Sequence, residues 1–239
     1  LMKELKKYNF LKIFDLQNSS RTSFYKKILF PKAKNNVWCS DKNTMQNKTN
    51  KIVEPVLKRF EHQLQAGGVK TSHTMKPDFS WACDDISEIK KKHSLKNYIL
   101  LFPFCSPHLT IKKWPFYHDL IKLILNKYGE KYKIVIAPGP NEIRQAQDYN
   151  ATIILKDEDI LNICELTSLI KESTFIVAND TGPAHIAAHV GAKGLTLFGS
   201  HTSAFKVSIE RENFKPIQVG DLKNLSVERV FERLKSFLD

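Results

Sequence analysis

The sequence predicts an α/β protein with a mostly parallel, doubly wound sheet, and three observations carry that prediction. From residue 98 onward, short apolar runs alternate with amphipathic stretches of helical spacing, the rhythm of βαβ units. Pro and Gly punctuate the hand-overs, as at Pro103, Gly129 and Pro138-Gly139-Pro140. The chain has 239 residues and is 42% hydrophobic, enough for one large domain or two small ones.

In the first 95 residues the pattern is sparse. Phe10–Leu16 and Asn36–Cys39 read as strands with a basic helix between them. Ile52, Val53, Val56, Leu57, Phe60 and Leu64 form the apolar stripe of an amphipathic helix. Residues 70–96 are polar and charged, and read as a linker. Two strands and one or two helices are less than a Rossmann half, so 1–95 reads as a partial Rossmann-like domain with its linker. Residues 96–239 read as a second Rossmann-like domain.

That second part orders itself clearly. Tyr98–Phe102 is a buried strand closed by Pro103. Trp114–Tyr128 carries Trp114, Tyr117, Leu120, Ile121, Ile124 and Leu125 at helical spacing, with Pro115 suited to the first turn and Gly129 to the exit. Tyr132–Ala137 is a strand, Asn141–Asp148 a polar helix, and Thr152–Leu155 a strand. A helix follows over Asp159–Glu172, then strand Phe175–Ala178, helix Pro183–Val190 and strand Gly194–Phe198. Ser226–Leu238 closes as an amphipathic helix capped by Ser226.

Several function classes are disfavoured. No run of eighteen apolar residues is present, so no segment is expected to span a bilayer, and the N-terminus lacks a signal-peptide cleavage site. Cys39, Cys83, Cys105 and Cys164 lie far apart without a CxxC pair, which reads as reduced thiols in the cytoplasm. The net charge of +12 favours an anionic partner. With no RNP-like motif, zinc finger or repeat, nucleic acid is not expected to be that partner.

Doubly wound sheets bind ligands beyond the carboxyl ends of their strands. That directs attention to residues 103–113, 139–142 and 179–183. In Asn179-Asp180-Thr181-Gly182-Pro183 a strand ends and a helix begins, with Asp180 or Thr181 placed to cap it. A helix start offers free N–H groups and a positive dipole end, a natural phosphate site. An ordinary strand-to-helix turn would look similar, but the apolar helix and strand that follow, ending in Phe198-Gly199-Ser200, favour the functional reading. His185 lies one turn into the helix, near any phosphate bound there, whereas His189 reads as structural. A zinc site would need the Glu of HExxH or a third ligand, and neither is visible, so no metal is expected. Lys112 can neutralise a diphosphate leaving group, Ser106 can hydrogen-bond phosphate, and Glu142 can accept from ribose hydroxyls.

Residues 102–200 resemble glycosyltransferase family 9, the ADP-heptose:lipopolysaccharide heptosyltransferases, whose GT-B architecture faces two Rossmann-like domains across a cleft. Pro103-Phe104-Cys105-Ser106…Lys112-Lys113-Trp114-Pro115 looks like the family's P-G-x-S…K-x-W-P, and Pro138-Gly139-Pro140-Asn141-Glu142 like its G-G-P-x-E. Asn179–Gly191 with Leu197–Gly199 matches N-D-[ST]-G-P-x-H-x-A-A-x-x-G…L-F-G almost letter for letter, and is the most specific of the three. Asp15-Leu16-Gln17…Arg21-Thr22-Ser23 is similar to an acceptor-domain stretch.

The resemblance implies a GT-B-like fold, with 1–95 on the acceptor side and 96–239 binding the nucleotide-sugar donor. It implies inverting transfer of heptose from ADP-heptose to the lipopolysaccharide inner core, at an anionic cytoplasmic membrane surface. Ser106 and Lys112 would hold the donor phosphates, Glu142 the ribose, and Leu161 would line the adenine slot. Asp180, Thr181, Gly182 and His185 would hold the diphosphate and the transferred sugar. No cofactor beyond the donor substrate is implied. Two departures stand out. Phe104 and Cys105 replace the Gly and Ala the family prefers, narrowing the phosphate loop. No G-x-[LI]-G-D motif, the family's source of the general base, precedes Asp15, so only the later part of an acceptor domain is expected and no residue is assigned as base. Alternatives are another GT-B nucleotide-sugar enzyme, such as a 2-epimerase, and a non-catalytic nucleotide-sugar-binding remnant.

Overall fold

The strands of the second half obey the alternation of apolar runs closely, and they build one parallel sheet. The chain is described by a computed structural model covering residues 2–5, 7–8, 10–31, 37–40 and 54–239. It divides into two compact units, Leu1–Pro77 and Asp78–Asp239.

In the first unit, α1 (Met2–Leu5), β1 (Ile13–Asp15), α2 (Ser20–Leu29), β2 (Trp38–Ser40) and α3 (Val56–Ala66) follow one another. β1 and β2 pair in parallel, Phe14 opposite Cys39. Ser19 caps α2 in a reciprocal box with Thr22. Gln63 of α3 is fully buried and donates to the carbonyls of Asp15 at 2.6 Å and Cys39 at 3.1 Å, tying both strand ends to the helix. Both strands are shorter than their apolar patterns predict, and Asn36, Ile52 and Val53 lie outside the described residues.

The second unit contains α4 (Ser87–Lys92), β3 (Tyr98–Phe102), α5 (Tyr117–Tyr128), β4 (Lys133–Ile136), α6 (Ile143–Ala146) and β5 (Thr152–Ile153). These are followed by α7 (Ile163–Lys171), β6 (Phe175–Asn179), α8 (Gly182–His189), β7 (Gly194–Phe198), α9 (Ala204–Val207), β8 (Phe214–Gln218) and α10 (Val227–Leu238). The sheet runs β5-β4-β3-β6-β7-β8 with every neighbour parallel. The chain starts in the middle of the sheet, builds outward to β5, then returns to lay β6 on the other side of β3. The β3/β6 boundary is therefore the switch point at which such sheets hold ligands.

Strand residues alternate between two cores. Tyr98, Leu100 and Phe102 face one layer with Ala184, Ala187 and Leu169, while Ile99 and Leu101 face the other with Leu120, Ile124, Val230 and Leu234. Asn162 opens α7 with a full capping box to Glu165, so the helix starts at Ile163, four residues later than the apolar spacing predicts. Likewise α5 starts at Tyr117, which leaves Pro115 outside its first turn.

Residues 78–95 do not behave as the predicted linker. Phe79 N–H donates to His189 O at 3.0 Å, Ser168 Oγ donates to Asp84 O at 2.7 Å, and Ile86, Ile89 and Leu95 are buried in the first core. The break between units thus falls after Pro77 rather than at residue 95. Three apolar side chains in a polar stretch suffice to dock it. Among the described residues no helix is long and apolar enough to cross a membrane.

Candidate functional site

The eight residues singled out from the sequence all fall at the carboxyl rim of the second unit's sheet, in two adjoining groups. Ser106, Glu142, Leu161, Thr181 and Gly182 line one cavity of about 510 Å³, walled also by Phe102, Ala137, Pro138 and Pro183. It lies where the loops after β3, β4 and β6 meet, at the switch point. Its Leu161, Ile160 and Leu166 side offers apolar surface, while Ser106, Glu142 and the start of α8 supply polar groups, the usual make-up of a small-molecule site. Glu142 is held in place by the backbone: Gly139 N–H donates to its Oε2 at 2.7 Å, leaving Oε1 for a ligand.

Lys112, Asp180 and His185 form the second group. Lys112, ending the 3₁₀ turn Thr110–Lys112, donates to Asp180 Oδ2 at 2.7 Å. His185 Nε2 stands 3.5 Å from Asp180 Oδ1. The third partner escapes sequence reasoning: His201 Nε2 lies 3.0 Å from Asp180 Oδ2. Burial works against the Asp180 charge, but hydrogen bonds from His185, Lys112 and His201, with the Lys112 charge, hold its carboxyl well below the usual carboxylate range. Lys112 is thus not the free cation that a loop lysine suggests. Its charge is committed to Asp180.

The predicted side-chain cap on α8 is not formed. Thr181 occupies the N-cap position, but its hydroxyl donates to Asn179 O at 3.3 Å, and no side chain satisfies the first turn. Pro183 has no N–H, and those of Ala184 and His185 donate to Thr181 O at 3.1 and 3.3 Å, so the Gly182 N–H and the positive end of the helix dipole are what this helix start offers an anion.

Asn179 sets the relation between the loops. Fully buried, it donates through Nδ2 to Pro103 O at 2.9 Å and Phe104 O at 3.4 Å. Its Oδ1 accepts from Trp114 N–H at 3.2 Å and from the Tyr117 hydroxyl at 3.5 Å. The end of β6 is thereby stitched to the loop that carries Ser106 and Lys112. Trp114 is fully buried and donates from Nε1 to Leu225 O at 2.8 Å, so the Trp of the Lys-Trp-Pro stretch anchors this loop rather than meeting a ligand.

His185 and His189 share a helix but not a task. His189 is buried, edge-on to Phe79, with Arg211 Nη2 3.2 Å from its Nδ1. A guanidinium only donates, so Nδ1 accepts and the ring is neutral. Burial first, then Arg211 and His185, push the His189 imidazole down to about 4. With the folded value below the unfolded one, the neutral ring stabilises the fold above roughly pH 6.5, and this contribution is lost as pH falls toward 4. A loss of about 3 kcal/mol across that window is expected from urea unfolding, and His189→Gln should flatten it. Among the described residues no group of three or more His, Cys, Asp or Glu side chains is placed to hold a metal ion.

Comparison with known proteins shows the family and the fold. The sequence profile described as Glycosyltransferase family 9 (heptosyltransferase) matches residues 1–214. No curated protein matches the chain in sequence. Among solved structures, E. coli heptosyltransferase WaaC with ADP superposes at a TM-score of 0.66, with 16% identity over 99% of this chain and 75% of that one. E. coli ADP-heptose lps heptosyltransferase II gives 0.65, with 19% identity over 99% and 79%. The glycosyl transferase family 9 from Veillonella parvula gives 0.71, with 14% identity over 99% and 76%. At these identities the likeness is one of fold.

Proposed function

The chain belongs to glycosyltransferase family 9, and from that premise we propose that it uses an ADP-sugar donor, ADP-heptose, and passes the heptose with inversion to the inner core of lipopolysaccharide. The observation that carries this reading is that the cavity at the β3/β6 switch point is lined by Thr181 and Gly182, the residues that directly follow Asp180 of the Lys112–Asp180–His185 group. Adenine fits the apolar side at Leu161 and ribose the free oxygen of Glu142. The diphosphate then falls at the uncapped start of α8, within reach of Lys112 and Ser106. Further support comes from two structural neighbours, described as WaaC with ADP and with ADP-2-deoxy-2-fluoro heptose.

In the proposed reaction an acceptor hydroxyl loses its proton to a base, and its oxygen attacks the anomeric carbon from the face opposite the leaving group. The bond from that carbon to the diphosphate oxygen breaks and ADP departs. Charge grows on the leaving phosphate, where Lys112, the Gly182 N–H and the positive end of α8 stabilise it. No cofactor or metal enters the proposal. The net charge of +12 supports contact with an anionic acceptor at a membrane surface on the cytoplasmic side.

Calorimetry with ADP, UDP and GDP tests the reading. ADP should bind best, and Lys112→Ala should weaken it by about 1.5–3 kcal/mol, the range of a hydrogen bond to a charged group. Preference for UDP would overturn the heptosyl donor while leaving a glycosyltransferase.

A further inference from the structure

His201 lies outside the motifs that mark the site, in the loop after β7, yet it completes the shell around Asp180. The three groups facing that carboxylate differ in freedom. The side chains of Lys112 and His185 are 22% and 35% exposed, whereas that of His201 is 7% exposed. Its ring stacks on Phe198 with centroids 5.9 Å apart and planes 15° apart. Its Nδ1 is buried and has no hydrogen-bond partner among the described residues, so the ring's polar engagement rests on Asp180.

A buried carboxylate beside an anion site needs a donor that stays. Lys112, on a flexible four-carbon stem, can swing its ammonium from Asp180 to a phosphate. His201 cannot follow. We infer that His201 is a positioning residue, which keeps Asp180 fixed and hydrogen-bonded when a bound diphosphate draws Lys112 and His185 away. Without it, Asp180 relies on those two groups alone, and the diphosphate must compete with a buried carboxylate for them. The inference rests on the reading of this rim as a diphosphate site.

The experiment compares wild type, His201→Leu and His201→Gln by calorimetry with ADP and, as a neutral comparator, adenosine. Leu fills the space without a donor, and Gln returns an N–H at the reach of Nε2. His201→Leu should weaken ADP about tenfold and leave adenosine within about twofold, while His201→Gln should stay within about threefold of wild type for both. Unchanged ADP binding in His201→Leu overturns the inference. So does an equal loss of adenosine, which would mark general damage to the fold, or a Gln variant as weak as Leu. If wild type prefers UDP, only the adenine assignment falls, and the same comparison is made with UDP and uridine. Wild type that binds neither nucleoside diphosphates nor inorganic pyrophosphate overturns both this inference and the site it rests on.

Discussion

Asn179→Ala is expected to destabilise the 78–239 unit by about 3–4 kcal/mol, because it removes two donors and an acceptor from a place water does not reach. The side chain is fully buried and serves four groups at once: two carbonyls of the Pro103–Phe104 turn, the Trp114 amide and the Tyr117 hydroxyl. Truncation strands Pro103 O and the Trp114 N–H in the core, each at about 1–3 kcal/mol, and leaves a small cavity besides. Asn179→Asp should not rescue it. The acid keeps the acceptor for Trp114 but turns an oxygen toward the carbonyl oxygens of Pro103 and Phe104, where only a donor fits. Urea unfolding with an unchanged m-value reads the loss. A change under about 1 kcal/mol would mean that the loop after β3 does not depend on this side chain.

The same residue shows how far sequence reasoning reaches. Asn179 stands in plain view at the head of the Asn-Asp-Thr-Gly-Pro stretch, and its place at a strand end is legible from the apolar run before it. Its task is not, because its four partners lie 62 to 76 positions earlier, on elements that only the folded sheet brings together. His201 is the same case at shorter range. β6 and β7 are parallel neighbours, so the loops at their carboxyl ends sit side by side, and that adjacency is the one signal that could have pointed to it.

The fold itself was far easier to read. From Tyr98 to Phe198 each strand is a compact apolar run, and each sits near its predicted place. β8 escaped because Phe214-Lys-Pro-Ile-Gln218 carries two large apolar residues and a proline, a composition tolerated at an outer strand that pairs with β7 alone. Residues 78–95 misled for the opposite reason. Their charges dominate the composition, while three well-spaced apolar side chains fix their position. Local pattern carries fold class well, but docking depends on a few residues, and composition averages them away.

The Lys112–Asp180 pair permits a test that joins stability to pH. Lys112→Ala leaves Asp180 with two imidazole partners and no ammonium, in a side chain only 3% exposed. Breaking a buried pair from one side leaves an uncompensated charge, and with Lys112 itself partly exposed a cost of about 3 kcal/mol at pH 7 is expected. The sign of its pH dependence follows from the carboxyl. In wild type the folded carboxyl titrates below its unfolded value, because hydrogen bonds from His185 and Lys112 outweigh the burial that opposes the charge. The pair therefore contributes stability above roughly pH 4, and that contribution is lost as pH falls through the folded value. In Lys112→Ala burial is less opposed, so the carboxyl titrates higher and the variant takes up its proton first. The stability gap between wild type and variant should hence be widest at pH 6–7, begin to narrow below roughly pH 4, and close only as pH falls through the wild type's folded value. Urea midpoints for both proteins across that range measure the gap directly. A gap that stays constant with pH would mean that Lys112 acts on Asp180 by packing rather than by charge.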